Sequence, residues 1–257
     1  MQEHDPDLAA AQLSRRVQLA CIWCGPAFVV LLFGGWGLLG GLIPLIPPSD
    51  SAEQVTAVYA TNANLHRFGL ILGMIGTFLP LLYSFAISMQ MRRTERGIPV
   101  LSILQFASGI MVTVVLMIPM LLFCGAAFRP ERSPELTMLV NDLSYLMLIL
   151  PWPPLIGQLG TFTIAVLTDR STPRVFPRWV AYYNIWVQLL LLPASLILFF
   201  KTGPFAWTGI IGFWIPAAVF GSWYLVMTPL LLTALRQETD RRASEPGADV
   251  RTPATGP

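Results

Sequence analysis

The chain of 257 residues is 54% hydrophobic and 12% charged, with a formal net charge of +2. Roughly 25% of a soluble domain is charged because its surface faces water, so this composition, with a mean hydropathy of +0.63, excludes an ordinary soluble fold. A balance so close to neutral gives no reason to expect nucleic acid or an acidic substrate as partner.

The first 16 residues, a polar N-terminal segment ending in Arg15 and Arg16, lead into an apolar run from Val17 to Leu42, 26 residues long. That exceeds the apolar core of a signal peptide, roughly 7–15 residues, and reads as a retained first helix. Five more windows follow: Phe68–Met89, Pro99–Ala127, Leu143–Leu167, Trp179–Phe200 and Gly209–Leu235. None contains Asp, Glu, Lys or Arg, and each supplies the roughly 20 apolar residues that cross a bilayer as a helix. The expected fold is an all-α bundle of six transmembrane helices over 17–235, followed by a polar tail over 236–257 whose composition predicts disorder.

The connections orient the bundle. Arg15, Arg16, Arg92, Arg93, Arg96, Arg170, Arg174, Arg178, Arg236, Arg241, Arg242 and Arg251 fall on the side of the termini, against Arg67, Arg129, Arg132 and Lys201 on the other. The bias predicts cytoplasmic N- and C-termini. The loop arginines of the inner side, Arg92, Arg93, Arg96, Arg170, Arg174 and Arg178, read as anchors to membrane lipid. Trp23 and Trp179 near inner helix ends, with Trp36 and Trp207 near outer ends, fit interfacial belts, although Trp186 and Trp214 lie deeper.

In the first outer connection, Ser51-Ala52-Glu53-Gln54 has the form of a capping box, and Val55, Val58 and Tyr59 follow at helical spacing. This predicts a short amphipathic helix. The fourth apolar segment is long: 34 residues from Pro134 to Leu167 make a straight helix of about 51 Å. Ser133-Pro134-Glu135 reads as its start, and Pro151-Trp152-Pro153-Pro154 must kink or break it. Broken helices line the sites of many transporters.

Few residues suggest chemistry. Cys21 and Cys24 form C-x-x-C, but on an apolar helix without the fold that makes this a redox site, so packing is the expected role. Cys124 sits near the opposite membrane face. Only two histidines occur, His4 and His66, too few for paired haem ligation or a clustered metal site, and no cofactor is expected. Within the helices the polar groups are mild: Gln105, Gln158, Asn184 and Gln188. Asn184 and Gln188 share a helix face, and with Gln158 they form a candidate intramembrane polar face, whose expected role is interhelical hydrogen bonding. His66, Arg67, Asn141, Asp142 and Lys201 should lie at one outer level and form a candidate polar cluster, with Arg67 paired to Asp142. Gly37 and Gly41, and Gly69, Gly73 and Gly76, form small-residue stripes expected to bring the first two helices together.

Phe176-Pro177-Arg178-Trp179, Phe200 to Trp207 and the stretch Ser51–Asn62 resemble bacterial multi-pass membrane proteins that carry no assigned activity. The resemblance implies a bacterial cytoplasmic membrane and transfers no catalytic or binding residue. Without a charge relay, metal cluster or nucleophile–base pair in the sequence, the reading it favours is a non-enzymatic accessory subunit that binds another membrane protein. The alternative is a small transporter or receptor for an uncharged, lipid-like molecule.

Overall fold

The computed structural model describes residues 6–129 and 131–244. Their regular structure is helical, with no strand among them. Six stretches are long and apolar enough to cross a membrane: Gln12–Leu39, Ala63–Thr94, Val100–Phe128, Pro134–Thr168, Trp179–Leu198 and Ile210–Arg241. Each packs against the next in chain order, and the sixth returns to the first.

Most spans are not uniform α-helices, and proline and glycine explain where they change. In the first, α1 (Pro6–Val29) continues as a π-helical segment, Val30–Leu39, through the glycine-rich run around Trp36. A short helix, α2 (Ala52–Ala60), precedes the second span, which is divided into α3 (Ala63–Gly76) and α4 (Leu79–Met91). Pro80 withholds the donor that the carbonyl of Gly76 would need. The third span is a single helix, α5 (Val100–Phe128). The fourth breaks into α6 (Pro134–Ile149) and α7 (Pro153–Thr168), because Pro151, Pro153 and Pro154 withhold the donors that the carbonyls of Met147, Ile149 and Leu150 would need. The fifth runs as α8 (Trp179–Leu191) and tightens to a 3₁₀ segment, Leu192–Leu198, at Pro193. The sixth opens with a π turn, Ile210–Trp214, ahead of Pro216, and continues as α9 (Ile215–Ser244).

The capping box of α2 forms as expected: Ser51 N–H donates to Gln54 Oε1 at 2.8 Å, and Gln54 N–H to Ser51 Oγ at 3.4 Å. Val55 and Tyr59 are buried, and α2 packs on α6. At the other end of the molecule, the arginine-rich end, α9 continues nine residues past Leu235, to Ser244. The stretch from Arg236 to Ser244, expected to belong to a disordered tail, is therefore helical, and residues 245–257 of that expected tail lie outside the described ones. Polar contacts explain the extension. Gln90 Nε2 donates to Gln18 Oε1 at 2.8 Å and to Glu238 Oε2 at 3.0 Å, while Arg93 donates to Gln90 Oε1 at 2.7 Å and to the Ala234 carbonyl at 2.8 Å. These bonds join α1, α4 and α9, and they turn Arg93 toward the protein, unlike its exposed neighbour Arg92.

The first two spans meet through glycine, in a register shifted from the expected one. A Cβ on Gly73 would lie 2.8 Å from Trp36 Cβ, one on Gly76 would lie 2.9 Å from Leu31 Cβ, and one on Gly69 would run into the backbone of Leu39 and Gly40. On the first span the close residues are Gly35 and Gly40. Gly37 faces Ile43 of its own chain, and Gly41, at φ +66°, lies under the His66 ring. The shift follows from the π-helical backbone, where i and i+5 stack; a reading at four-residue spacing selects Gly37 in place of Gly35 and Gly40, while Gly41 meets the second span at His66 as expected.

The tryptophans also divide differently. Trp23 and Trp179 are exposed on the flank of the bundle, but Trp36 and Trp207 are buried core residues. Replacing Gly69 by Ala is expected to cost about 1–3 kcal/mol through overpacking, read as a lower thermal midpoint in detergent. Gly125→Ala, where a Cβ meets nothing within 4 Å, should leave the midpoint unchanged.

Candidate functional site

The irregular segments converge. The π segment of the first span, the break in the fourth, the 3₁₀ segment of the fifth and the π turn of the sixth surround one cavity of about 110 Å³. The first span contributes Leu32, Phe33 and Trp36, the third Val112, Val115 and Leu116, and the fourth Leu148, Ile149, Pro151, Trp152 and Leu155. Leu191 and Ala194 of the fifth span and Phe213, Pro216, Ala217 and Phe220 of the sixth complete the wall. Of these side chains only Trp36 and Trp152 carry a polar atom. Trp152 Nε1 donates to Ser195 Oγ at 2.8 Å, fastening the broken fourth span to the fifth. Trp36 is 1% exposed, and its Nε1–H has no acceptor among the described residues.

An aromatic cluster closes the cavity toward α2. Trp36 packs against Phe123, Tyr145 and Phe213, with ring centroids 5.7, 6.5 and 6.4 Å away. Tyr145 stacks on Trp207 at 5.4 Å and 12°. These two rings also hold the first connection: Ile46 N–H donates to Tyr145 Oη at 3.3 Å, and Trp207 Nε1 donates to the Ile46 carbonyl at 2.8 Å. Both backbone groups of one loop residue are thereby satisfied by side chains, one from the fourth span and one from the connection between the fifth and sixth.

Toward the arginine-rich end the interior is polar. Ser84 Oγ accepts from Gln105 Nε2 at 3.0 Å and Gln158 Nε2 at 3.3 Å, joining spans two, three and four. Gly109 faces this serine so closely that any side chain there would displace it. Asn184 is fully buried and accepts from Trp223 Nε1 at 2.9 Å, while its own amide donates to the Val180 carbonyl at 2.8 Å. Gln188 donates to the Asn184 carbonyl at 3.0 Å and approaches α7 at Gly160. The predicted polar face thus occupies two places: Gln158 belongs to the Ser84 group, and Asn184 tethers α8 to α9.

The outer cluster also separates. Tyr59 Oη donates to Asn141 Oδ1 at 2.8 Å, and Asn141 Nδ2 to Asp142 Oδ1 at 3.3 Å. Burial holds the Tyr59 phenol well above its usual pKa, with Tyr145 and Asp142 acting in the same direction, so it serves as a donor. Lys201 acts electrostatically on Asp142. Arg67 does not pair with Asp142: its Nε donates to the Ala127 carbonyl at 3.0 Å and its Nη2 to the Phe128 carbonyl at 3.3 Å. It caps the C-terminus of α5, where free carbonyls and the helix dipole favour a cation. His66 lies apart against Gly41, its Nδ1 unpartnered. Cys21, Cys24 and Cys124 are free thiols, and no group of metal-binding side chains assembles among the described residues.

Six apolar spans around a buried mixed core define a multi-pass α-helical membrane protein. Compared with known proteins, the chain matches no family model, no curated protein and no solved structure.

Asn184→Ala would leave the buried Trp223 N–H without its acceptor. The expected cost is about 1–2 kcal/mol, measured by thermal unfolding in detergent. Adding Trp223→Phe to Asn184→Ala should restore part of that loss, because no orphaned donor remains.

Proposed function

We propose that this protein is a non-enzymatic membrane receptor or carrier that binds a small, uncharged, apolar molecule in its central cavity. The observation that carries the reading is the convergence of four irregular segments on one apolar cavity at the break in the fourth span. A bundle built only for packing needs no such gap, since the interruptions leave carbonyls that other groups must satisfy. Apolar cavities of this order of size accept benzene-sized guests. The lining carries no charge, which disfavours an ionic cargo.

The reading moves emphasis from the accessory-subunit role that the sequence favours to its alternative, and one experiment separates them. Native mass spectrometry of protein extracted gently from its own membrane should show a lone polypeptide with a small apolar adduct. Ala217→Trp, which fills the cavity, should abolish the adduct and preserve the thermal midpoint. A stoichiometric second polypeptide with no adduct would support the subunit role instead.

The proposed setting is a bacterial cytoplasmic membrane with both termini in the cytoplasm, contacting anionic lipid through the exposed arginines. The support for that orientation is the excess of basic residues on the side of the termini. A reporter active only in the cytoplasm should function when fused after Arg96 or Pro257 and fail when inserted at Asp50.

A further inference from the structure

Resting on this reading of the cavity, we infer that its ligand carries a hydroxyl group, whose O–H donates to main-chain carbonyls set free at the break in the fourth span, that of Pro151 foremost. The ligand class is therefore a small neutral alcohol or phenol with a hydrocarbon body.

The inference starts from the backbone of the break. In a continuous helix the carbonyls of Leu148, Ile149 and Pro151 would accept from the residues four further on. The Trp152 N–H donates instead to the Leu150 carbonyl at 2.8 Å, and the Leu155 N–H to the Trp152 carbonyl at 3.0 Å. Pro153 has no N–H to give. Donors three residues on are missing too, since Pro151 and Pro154 are prolines and Trp152 is already committed. No hydrogen bond among the described residues reaches any of the three carbonyls.

All three residues are half-buried and line the cavity. Val115 of the third span lines it as well, and Pro119 withholds the donor its carbonyl would need. The wall is mainly apolar but keeps a polar share. Side chains account for little of that share: the Trp36 nitrogen is buried, and the Trp152 N–H is spent on Ser195 Oγ. The main chain is left as its source, at the carbonyls that the prolines release.

Elsewhere the bundle covers free backbone with its own side chains. Tyr145 and Trp207 hold Ile46, and Arg67 takes the carbonyls of Ala127 and Phe128. At the break no side chain does so, and carbonyls in a hydrocarbon environment need a donor. The C-terminal end of α6 favours positive partial charge, which an O–H proton supplies. A full cation is disfavoured by its desolvation in a wall without a carboxylate.

The test compares para-fluorophenol with para-fluorotoluene, in which a methyl group replaces the hydroxyl at similar size. Fluorine NMR titrations use the whole protein in lipid nanodiscs, with empty nanodiscs giving the partitioning baseline. Corrected for partitioning, the phenol should bind about five- to tenfold more tightly than fluorotoluene. Para-fluoroanisole, which keeps the oxygen and loses the proton, should show no such advantage. Isotope labelling of proline at its carbonyl carbon and tryptophan at nitrogen selects one peptide bond, because Pro151-Trp152 is the only Pro-Trp pair in the chain. Its carbonyl carbon signal should move downfield with the phenol and not with fluorotoluene.

Equal affinities for the phenol and fluorotoluene, or a Pro151 carbonyl signal that responds alike to both, would overturn the inference. If fluorotoluene binding is saturable and blocked by Ala217→Trp, the cavity reading survives that failure. If neither probe saturates above the empty-nanodisc baseline, the cavity reading and the inference fall together.

Discussion

In a hydrocarbon environment every backbone amide and carbonyl must find its partner inside the protein, and the architecture is organised by that constraint. Five of the six spans depart from a uniform α-helix. Each departure releases carbonyls or alters their spacing, so each has to be covered by a neighbouring span. The molecule concentrates four of them around one point, where the helices shield one another from lipid. Side chains complete the arrangement, with Trp152 tied to Ser195 and the backbone of Ile46 held between Tyr145 and Trp207.

The interior is divided by chemistry along the membrane normal. Near the arginine-rich end, hydrogen bonds accepted by Ser84 and Asn184 and donated by Gln90 couple different spans. Around the cavity, aliphatic and aromatic side chains prevail, and close packing around glycine holds the first two spans together. Tethers at one end and an aromatic cover at the other leave the apolar middle as the region where space remains. A site bounded in this way can be specific without charge, since shape and one or two fixed polar groups set orientation.

The bundle was legible in the sequence because length and the exclusion of charge are sufficient signals for a membrane span. The capping box at Ser51 and the proline run at Pro151 were legible because each acts through its nearest chain neighbours. The π-helical segments were not. Periodicity read at 3.6 residues cannot see a backbone that stacks at five, so it points to Gly37 where Gly35 and Gly40 do the packing. The outer cluster failed differently. Arg67 faced a choice between a carboxylate and the carbonyl end of α5, and only three-dimensional proximity decides that. The cavity was beyond reach, since its wall is drawn from five spans and its polar character depends on which released carbonyls lack a donor.

The grip on Ile46 also bears on how the molecule is assembled. Its two partners, Tyr145 and Trp207, lie 99 and 161 residues further along the chain. During synthesis the first connection emerges long before either partner exists, so it must wait unfastened while most of the spans enter the bilayer. Only after the connection between the fifth and sixth spans has been made can the stacked rings close over it. The grip on Ile46 is thus completed late, and its closure requires spans four and five to have arrived in their proper order.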